Sequence, residues 1–171
     1  MDNEKLEEFI LKASKIKLIA IGVDGVLTDA GMYFSPDGDI IRKFNRRDGM
    51  GIQILKTKGI KTAVISSVES RMVEMWCTMF NVDYTRLGTS DKYHEIEKLQ
   101  IKLGISLNEI AYIADDIDEI DILKKVGVGV TVQDGMSVNK RNSIYVTKRK
   151  GGEGAVREVI EMIMIGKSMI K

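Results

Sequence analysis

Five residues carry groups that an α/β fold could gather at one pocket: Asp24, Ser66, Lys92, Asp115 and Asp116. Asp24 follows the apolar run Leu18–Ile21 within KLIAIGVDGVLTD, in a turn that also holds Gly25 and Asp29. Ser66 lies in AVISS, Lys92 follows Gly88-Thr89-Ser90-Asp91, and the pair Asp115-Asp116 follows IAYIA. Carboxylates delivered to the carboxyl end of a buried strand can hold a hard cation through oxygen or move protons. A strand-end hydroxyl with neighbouring N–H groups can hold a phosphate, and an ammonium beside it adds charge. Taken singly, strand-end Ser and Asp are common turn formers, and a lysine next to an aspartate is an ordinary surface residue. Their shared placement, each at a strand end or a helix start, is what points to a single phosphate-and-cation site.

Positioning these groups requires strands that alternate with helices. Apolar strand patterns fall at Leu18–Val23, Lys61–Ile65, Val82–Thr85, Ile110–Ala114, Gly127–Val132 and Ile144–Val146. Helical patterns fall at Lys5–Ala13, Met50–Lys58, Ser70–Phe80, Lys92–Leu103, Asp118–Val126 and Ala155–Met169. Ser106-Leu107-Asn108-Glu109 has the Ser-x-x-Glu form of a capping box. The alternation predicts a Rossmann-like parallel sheet with helices on both faces. One piece breaks it. Gly31–Phe44 is two short apolar runs around Ser-Pro-Asp-Gly, which predicts a β-hairpin flap leaving the sheet directly after the acidic turn. The other intervals leave no room for a separate cap domain, so residues 1–171 read as a single α/β domain. The apolar residues of Ala155–Ile170 are spread too widely for one core-facing stripe, which predicts a second face on the last helix buried against a neighbouring subunit.

Composition narrows the class. The chain has 171 residues, 44% hydrophobic and 30% charged, enough for a sizeable core. A formal net charge of +1 gives no reason to expect a nucleic-acid partner. The apolar runs are too short to span a membrane, and MDNEKLEEFILKASK is acidic and amphipathic rather than signal-like. With one cysteine there is no internal disulfide framework, and a cytoplasmic location is expected. Cys77, in MVEMWCTMF, reads as a small buried hydrophobe, and His94, in DKYHEIEK, as a solvated helix residue.

The acidic segment resembles the first motif of the haloacid dehalogenase phosphatases, Asp-x-Asp-Gly-Val-x-Thr-Asp. Two further segments resemble its capless branch of 3-deoxy-manno-octulosonate 8-phosphate and nonulosonate 9-phosphate phosphatases. FNRRDGMGI (44–52) matches Phe-Asn-x-Arg-Asp-Gly-x-Gly-Ile, and KGGEGAVRE (150–158) matches Gly-Gly-x-Gly-Ala-x-Arg-Glu. The likeness runs from about Lys17 to Glu158. It implies a Mg²⁺-dependent sugar-acid phosphatase, involved in lipopolysaccharide biosynthesis and assembled as a homotetramer. The C-terminal tail would reach a neighbouring subunit's site. It also implies roles: Asp24 as acid and base, Ser66 and Lys92 on phosphate, Arg47, Asp48 and Arg157 on substrate. Asp24 and Asp115 would hold the metal, with Asp116 as a further candidate.

The departures from this pattern cluster at the same site. Gly22 stands where the branch has its nucleophilic aspartate, which is also a metal ligand; glycine offers neither function. Ser66-Ser67-Val68 replaces Thr-Gly-Arg, and Ala114-Asp115-Asp116-Ile117-Asp118-Glu119 replaces Gly-Asp-Asp-x-Asn-Asp. The expected outcome is a phosphatase-like protein with weak or no hydrolysis and a weakened Mg²⁺ site that still binds a sugar-acid phosphate or phosphate. Two alternatives differ in kind: an active phosphatase using metal-bound water with Asp24 as base, or a structural oligomerisation module. Gly22→Asp alone is expected to raise activity at least about tenfold over background, worth roughly 1.4 kcal/mol of transition-state stabilisation, without reaching a relative's full rate.

Overall fold

The computed structural model describes residues 3–38 and 40–169. Its centre is β1 (Leu18–Ile21), every residue of which is fully buried. Leu18 and Ala20 pack on one face of the sheet, Ile19 and Ile21 on the other, so alternation along the strand feeds two separate cores. This is why the sequence there is continuously apolar: a parallel strand covered on both sides has no face to leave in water. β6 (Ile110–Ala114) repeats the arrangement, with Ala111 and Ile113 on one side and Ile110, Tyr112 and Ala114 on the other.

Beside these lie β4 (Lys61–Ile65), β5 (Tyr84–Arg86), β7 (Val128–Thr131) and β8 (Tyr145–Val146). All six are parallel, in the order β5-β4-β1-β6-β7-β8. Helices α1 (Asn3–Ala13), α2 (Arg46–Thr57), α3 (Arg71–Met79) and α7 (Ala155–Met169) contribute to the larger core. Helices α4 (Lys92–Leu103) and α5 (Ile120–Lys125) supply the smaller one on the opposite face. The expected Rossmann-like α/β fold is therefore present.

The hairpin is also present: β2 (Tyr33–Phe34) pairs antiparallel with β3 (Ile40–Ile41). Asp39, within the expected flap, lies outside the described residues, as do Ile170 and Lys171 of the tail. An isolated bridge between Thr28 and Phe44 and a 2.7 Å ion pair between Lys43 and Asp29 close the hairpin's base.

Three local readings need correction. Helix α2 begins at Arg46 rather than Met50, because the Asn45 side chain accepts a hydrogen bond from Arg47 N and caps it four residues earlier. A short helix α6 (Ser137–Arg141) carries no strong periodic signal and was not expected. The broad apolar surface of α7 is used within the chain itself, since α7 packs against both α1 and α2. Gly166 of α7 lies so close to Ala13 that a Cβ there would stand 2.7 Å from the alanine methyl.

Candidate active site

The strand order reverses at β1, whose neighbours β4 and β6 are reached by crossovers in opposite directions. Crevices form outside the carboxyl ends of strands at such a point. A cavity of about 270 Å³ opens there, its lining including Asp24, Ser66, Lys92, Asp115 and Asp116 together with Asp118 and Glu119. All five residues expected at a common pocket thus meet. A larger cleft of about 680 Å³ between α3 and β5 is lined by Glu69, Arg71, Glu74 and Arg86 and holds none of the five.

After β1 the backbone turns sharply through Val23–Leu27, with Gly25 at φ 76°. A side chain at Gly25 would collide with the carboxylate of Asp115, so glycine is needed for both backbone angle and close approach. The turn leaves Asp24 half-exposed at the cavity, its carboxylate accepting a 2.9 Å hydrogen bond from Arg42 Nε. Arg42 is buried at the foot of the hairpin, immediately after β3, and was not anticipated from sequence. The guanidinium thereby ties the flap to the acidic turn.

Ser66 directly follows β4, its hydroxyl accepting a 3.1 Å hydrogen bond from Val68 N. The Asp91 side chain accepts from His94 N and caps α4, which sets Lys92 at the helix start. Lys92 Nζ lies 3.0 Å from Asp118 Oδ2 and 3.0 Å from Glu119 Oε1. Burial works to lower the Lys92 pKa, but Glu119 and Asp118 outweigh it and the net shift is upward, so the ammonium stays charged. Asp116 is exposed, and its carboxylate accepts from Ile117 N at 2.6 Å, capping the turn that follows. Asn139, on the unexpected α6, donates its side-chain amide to Asp116 O, and Met136 N donates to Asp115 O. These contacts brace the loop carrying both aspartates.

Glu119 is fully buried. Its Oε1 accepts from the Tyr112 hydroxyl at 2.6 Å as well as from Lys92, and its Oε2 accepts from Asp115 N at 3.2 Å. The sequence signal was its place in the altered Asp115–Glu119 segment, but its direction was not legible there. The carboxylate reaches back to β1: a Cβ on Gly22 would sit 3.3 Å from Glu119 Oε1. Gly22 itself has φ −64° and ψ 165°, an extended conformation open to any residue.

The donors fit a hydrated, oxygen-preferring cation better than a full protein cage. Among the described residues no group of three or more His, Cys, Asp or Glu side chains is arranged to hold a metal ion. Yet the Asp115 carboxyl is pushed up to about 7, by burial first and then by the nearby charges of Glu119 and Asp116. A cation beside Asp115 would relieve that crowding.

The remaining expected substrate residues stand away from this cavity. Asp48 is fully buried on α2, where its Oδ1 accepts a 2.8 Å hydrogen bond from Arg157 N and ties α2 to α7. Arg157 Nε pairs with Glu161 at 2.7 Å, and Arg47 is exposed with its backbone N–H engaged by the Asn45 cap. Buried Asp48 therefore serves as a packing contact within this chain, not as part of the cavity lining. Gly151 and Gly152 of the tail are buried against the chain's own acidic turn, with Gly152 N donating to Val26 O at 3.0 Å. Cys77 is buried, and its thiol is pushed up to about 11 by desolvation, so it is a poor nucleophile.

No protein-family model matches the chain. Individual relatives do. The 3-deoxy-D-manno-octulosonate 8-phosphate phosphatase KdsC of Escherichia coli K12 is 34% identical over 163 residues, covering 95% of this chain and 87% of its own. The chain belongs to the KdsC family of phosphatases in the HAD superfamily. The fold agrees with KdsC structures. The Moraxella catarrhalis phosphatase, solved with magnesium ion, phosphate ion and KDO, superimposes with a TM-score of 0.92 at 36% identity. That match covers 95% of this chain and 93% of the other. A cobalt-bound relative from Haemophilus influenzae gives a TM-score of 0.87 at 30% identity, covering 92% of each chain.

Proposed function

We propose that this KdsC-family protein binds a sugar-acid phosphate together with a divalent cation and hydrolyses the ester weakly or not at all. The observation that carries the reading is the position after β1: Gly22 offers no carboxylate, while Asp24, Ser66, Lys92 and Asp115 still line the cavity. Within it, Ser66 and the Lys92 ammonium would hold phosphate oxygens. Asp24 would exchange a proton with the ester oxygen. Mg²⁺, held by Asp115 and Asp24, would neutralise charge on the phosphate. Without a carboxylate at position 22 the nucleophile that the family pattern places there is missing.

Loss of a nucleophile among groups that act as a unit typically costs on the order of 10⁴–10⁶ in turnover. Assayed with Mg²⁺ on 3-deoxy-manno-octulosonate 8-phosphate, the protein is expected to turn over at least about a thousandfold more slowly than an intact KdsC. Calorimetry should meanwhile show phosphate binding that depends on the cation. A turnover near 1 s⁻¹, an ordinary enzyme rate, abolished by Asp24→Asn would overturn the proposal and establish an active hydrolase. Absence of phosphate binding with and without Mg²⁺ would leave the protein as an assembly module.

Self-association belongs to the same proposal, but the surface that supports it differs from the one the sequence suggested. Because α7 is covered within the chain, the exposed apolar side chains to consider are those of the hairpin and α3. Tyr33, Phe34, Ile41, Met75 and Met79 are all more than half exposed. Ile41, Val68 and Met75 also line a shared groove between hairpin and helix. A second copy of the chain, as in a homotetramer, would cover them.

A further inference from the structure

The buried Glu119 carboxylate has no part in the reading above, yet it is the most highly constrained charge at the site. It is fully buried, bonded by Tyr112 and Lys92 on one oxygen and by the Asp115 backbone on the other. The same Oε1 stands 3.3 Å from where a Cβ on Gly22 would be, and the other nearest atoms to that Cβ are Val26 Cγ2 at 3.2 Å and Ile113 O at 3.3 Å. The space a side chain at position 22 would enter is therefore bounded by this carboxylate.

We propose that Gly22 and Glu119 form a coupled pair, in which the longer acid at 119 reaches into the space beside position 22 that a side chain there would enter. Glu119 is a positioning residue. Its carboxylate fixes the Lys92 ammonium and the Asp115 backbone at the cavity, and a side chain at position 22 would press against it. A carboxylate introduced at 22 meets a crowded wall and a like charge. One at 119 shortened by a methylene withdraws from Lys92 and Tyr112 and leaves a gap. Making both changes together gives the carboxylate at 22 the space that the shorter acid at 119 vacates.

The pair is tested by a double-mutant cycle on the full chain, with Gly22→Ala as a control that adds bulk without charge. Gly22→Asp and Glu119→Asp are each expected to lower the melting temperature by about 4 °C or more, and Gly22→Ala by less. The double variant Gly22→Asp/Glu119→Asp is expected to recover most of the loss. Its Mg²⁺-dependent hydrolysis of p-nitrophenyl phosphate should exceed that of Gly22→Asp by at least about tenfold, equal to roughly 1.4 kcal/mol. Additive melting losses would overturn the coupling. If Gly22→Asp does not fold, Gly22→Ala with and without Glu119→Asp carries the packing half: failure of the shortened side chain to relieve the alanine's cost overturns the pair. The activity arm rests on the phosphatase-site reading and the melting arm does not. Coupled stabilities without any hydrolysis would support the pair while counting against a repairable phosphatase site.

Discussion

At the scale of single residues, the site depends on how closely backbone and carboxylates approach one another. Gly25 shows this most directly. Its φ of 76° disfavours any side chain, and a Cβ would enter the space of the Asp115 carboxylate. Gly25→Ala is expected to destabilise the fold by about 2 kcal/mol or more, combining left-handed strain with overpacking. A urea titration checks this, with a mid-point shift of less than about a tenth of that energy divided by the slope counting against the argument. Glu119 makes the complementary point: its side chain takes hydrogen bonds from Tyr112, Lys92 and Asp115 N while standing 3.3 Å from where a Cβ on Gly22 would be.

At the scale of elements, the join between α2 and α7 rests partly on a buried acid. Asp48 is raised from 3.8 to about 6 by burial, with the Arg157 backbone N–H, Arg149 and Arg157 partly opposing the shift. Asp48 Oδ2 is buried without a hydrogen-bond partner. The folded state therefore holds this proton more tightly than the unfolded chain does. Its contribution to stability is full below the unfolded pKa and declines as pH rises from about 4 to about 6, leaving a deficit on the order of 3 kcal/mol above that window. Asp48→Asn keeps an acceptor for Arg157 N and removes the charge. Its urea mid-point should change less than that of the unmodified protein between pH 4.5 and pH 8 and should be the higher of the two at pH 8. Parallel pH profiles for the two proteins would refute this role.

At the scale of the whole molecule, the exposed apolar hairpin and α3 set the expectation for assembly. Phe34 on the hairpin and Met79 on α3 are each 66% exposed, large apolar side chains that this chain leaves uncovered. Light scattering at micromolar concentration should give a mass above that of one chain. Phe34→Glu, far from the α1–α7 packing, should shift the mass toward the monomer while leaving the far-ultraviolet circular dichroism unchanged. A monomer mass for the unmodified protein would remove the assembly proposal. No helix among the described residues is long and apolar enough to cross a membrane.

Periodicity and turn chemistry in the sequence were enough to determine the alternating strands and helices, the hairpin, and the convergence of Asp24, Ser66, Lys92, Asp115 and Asp116. These are local signals: strands buried on both faces must be apolar throughout, and groups at their carboxyl ends must share one edge of the sheet. Lys92–Leu103 and Ala155–Met169 could be bounded correctly because Asp91 and Gly104 mark the first and Gly154 precedes the second. What α7 packs against was not legible, because a wide apolar surface is the same whether its second partner is α1 or another subunit. Nor was the burial of Asp48 legible: its motif position carried no information about α7, which lies more than a hundred residues away along the chain. Only the tertiary structure brought Arg42 onto Asp24 and Glu119 against Gly22, since both contacts join separate elements through side-chain reach and direction, quantities that residue spacing along one strand or helix does not contain.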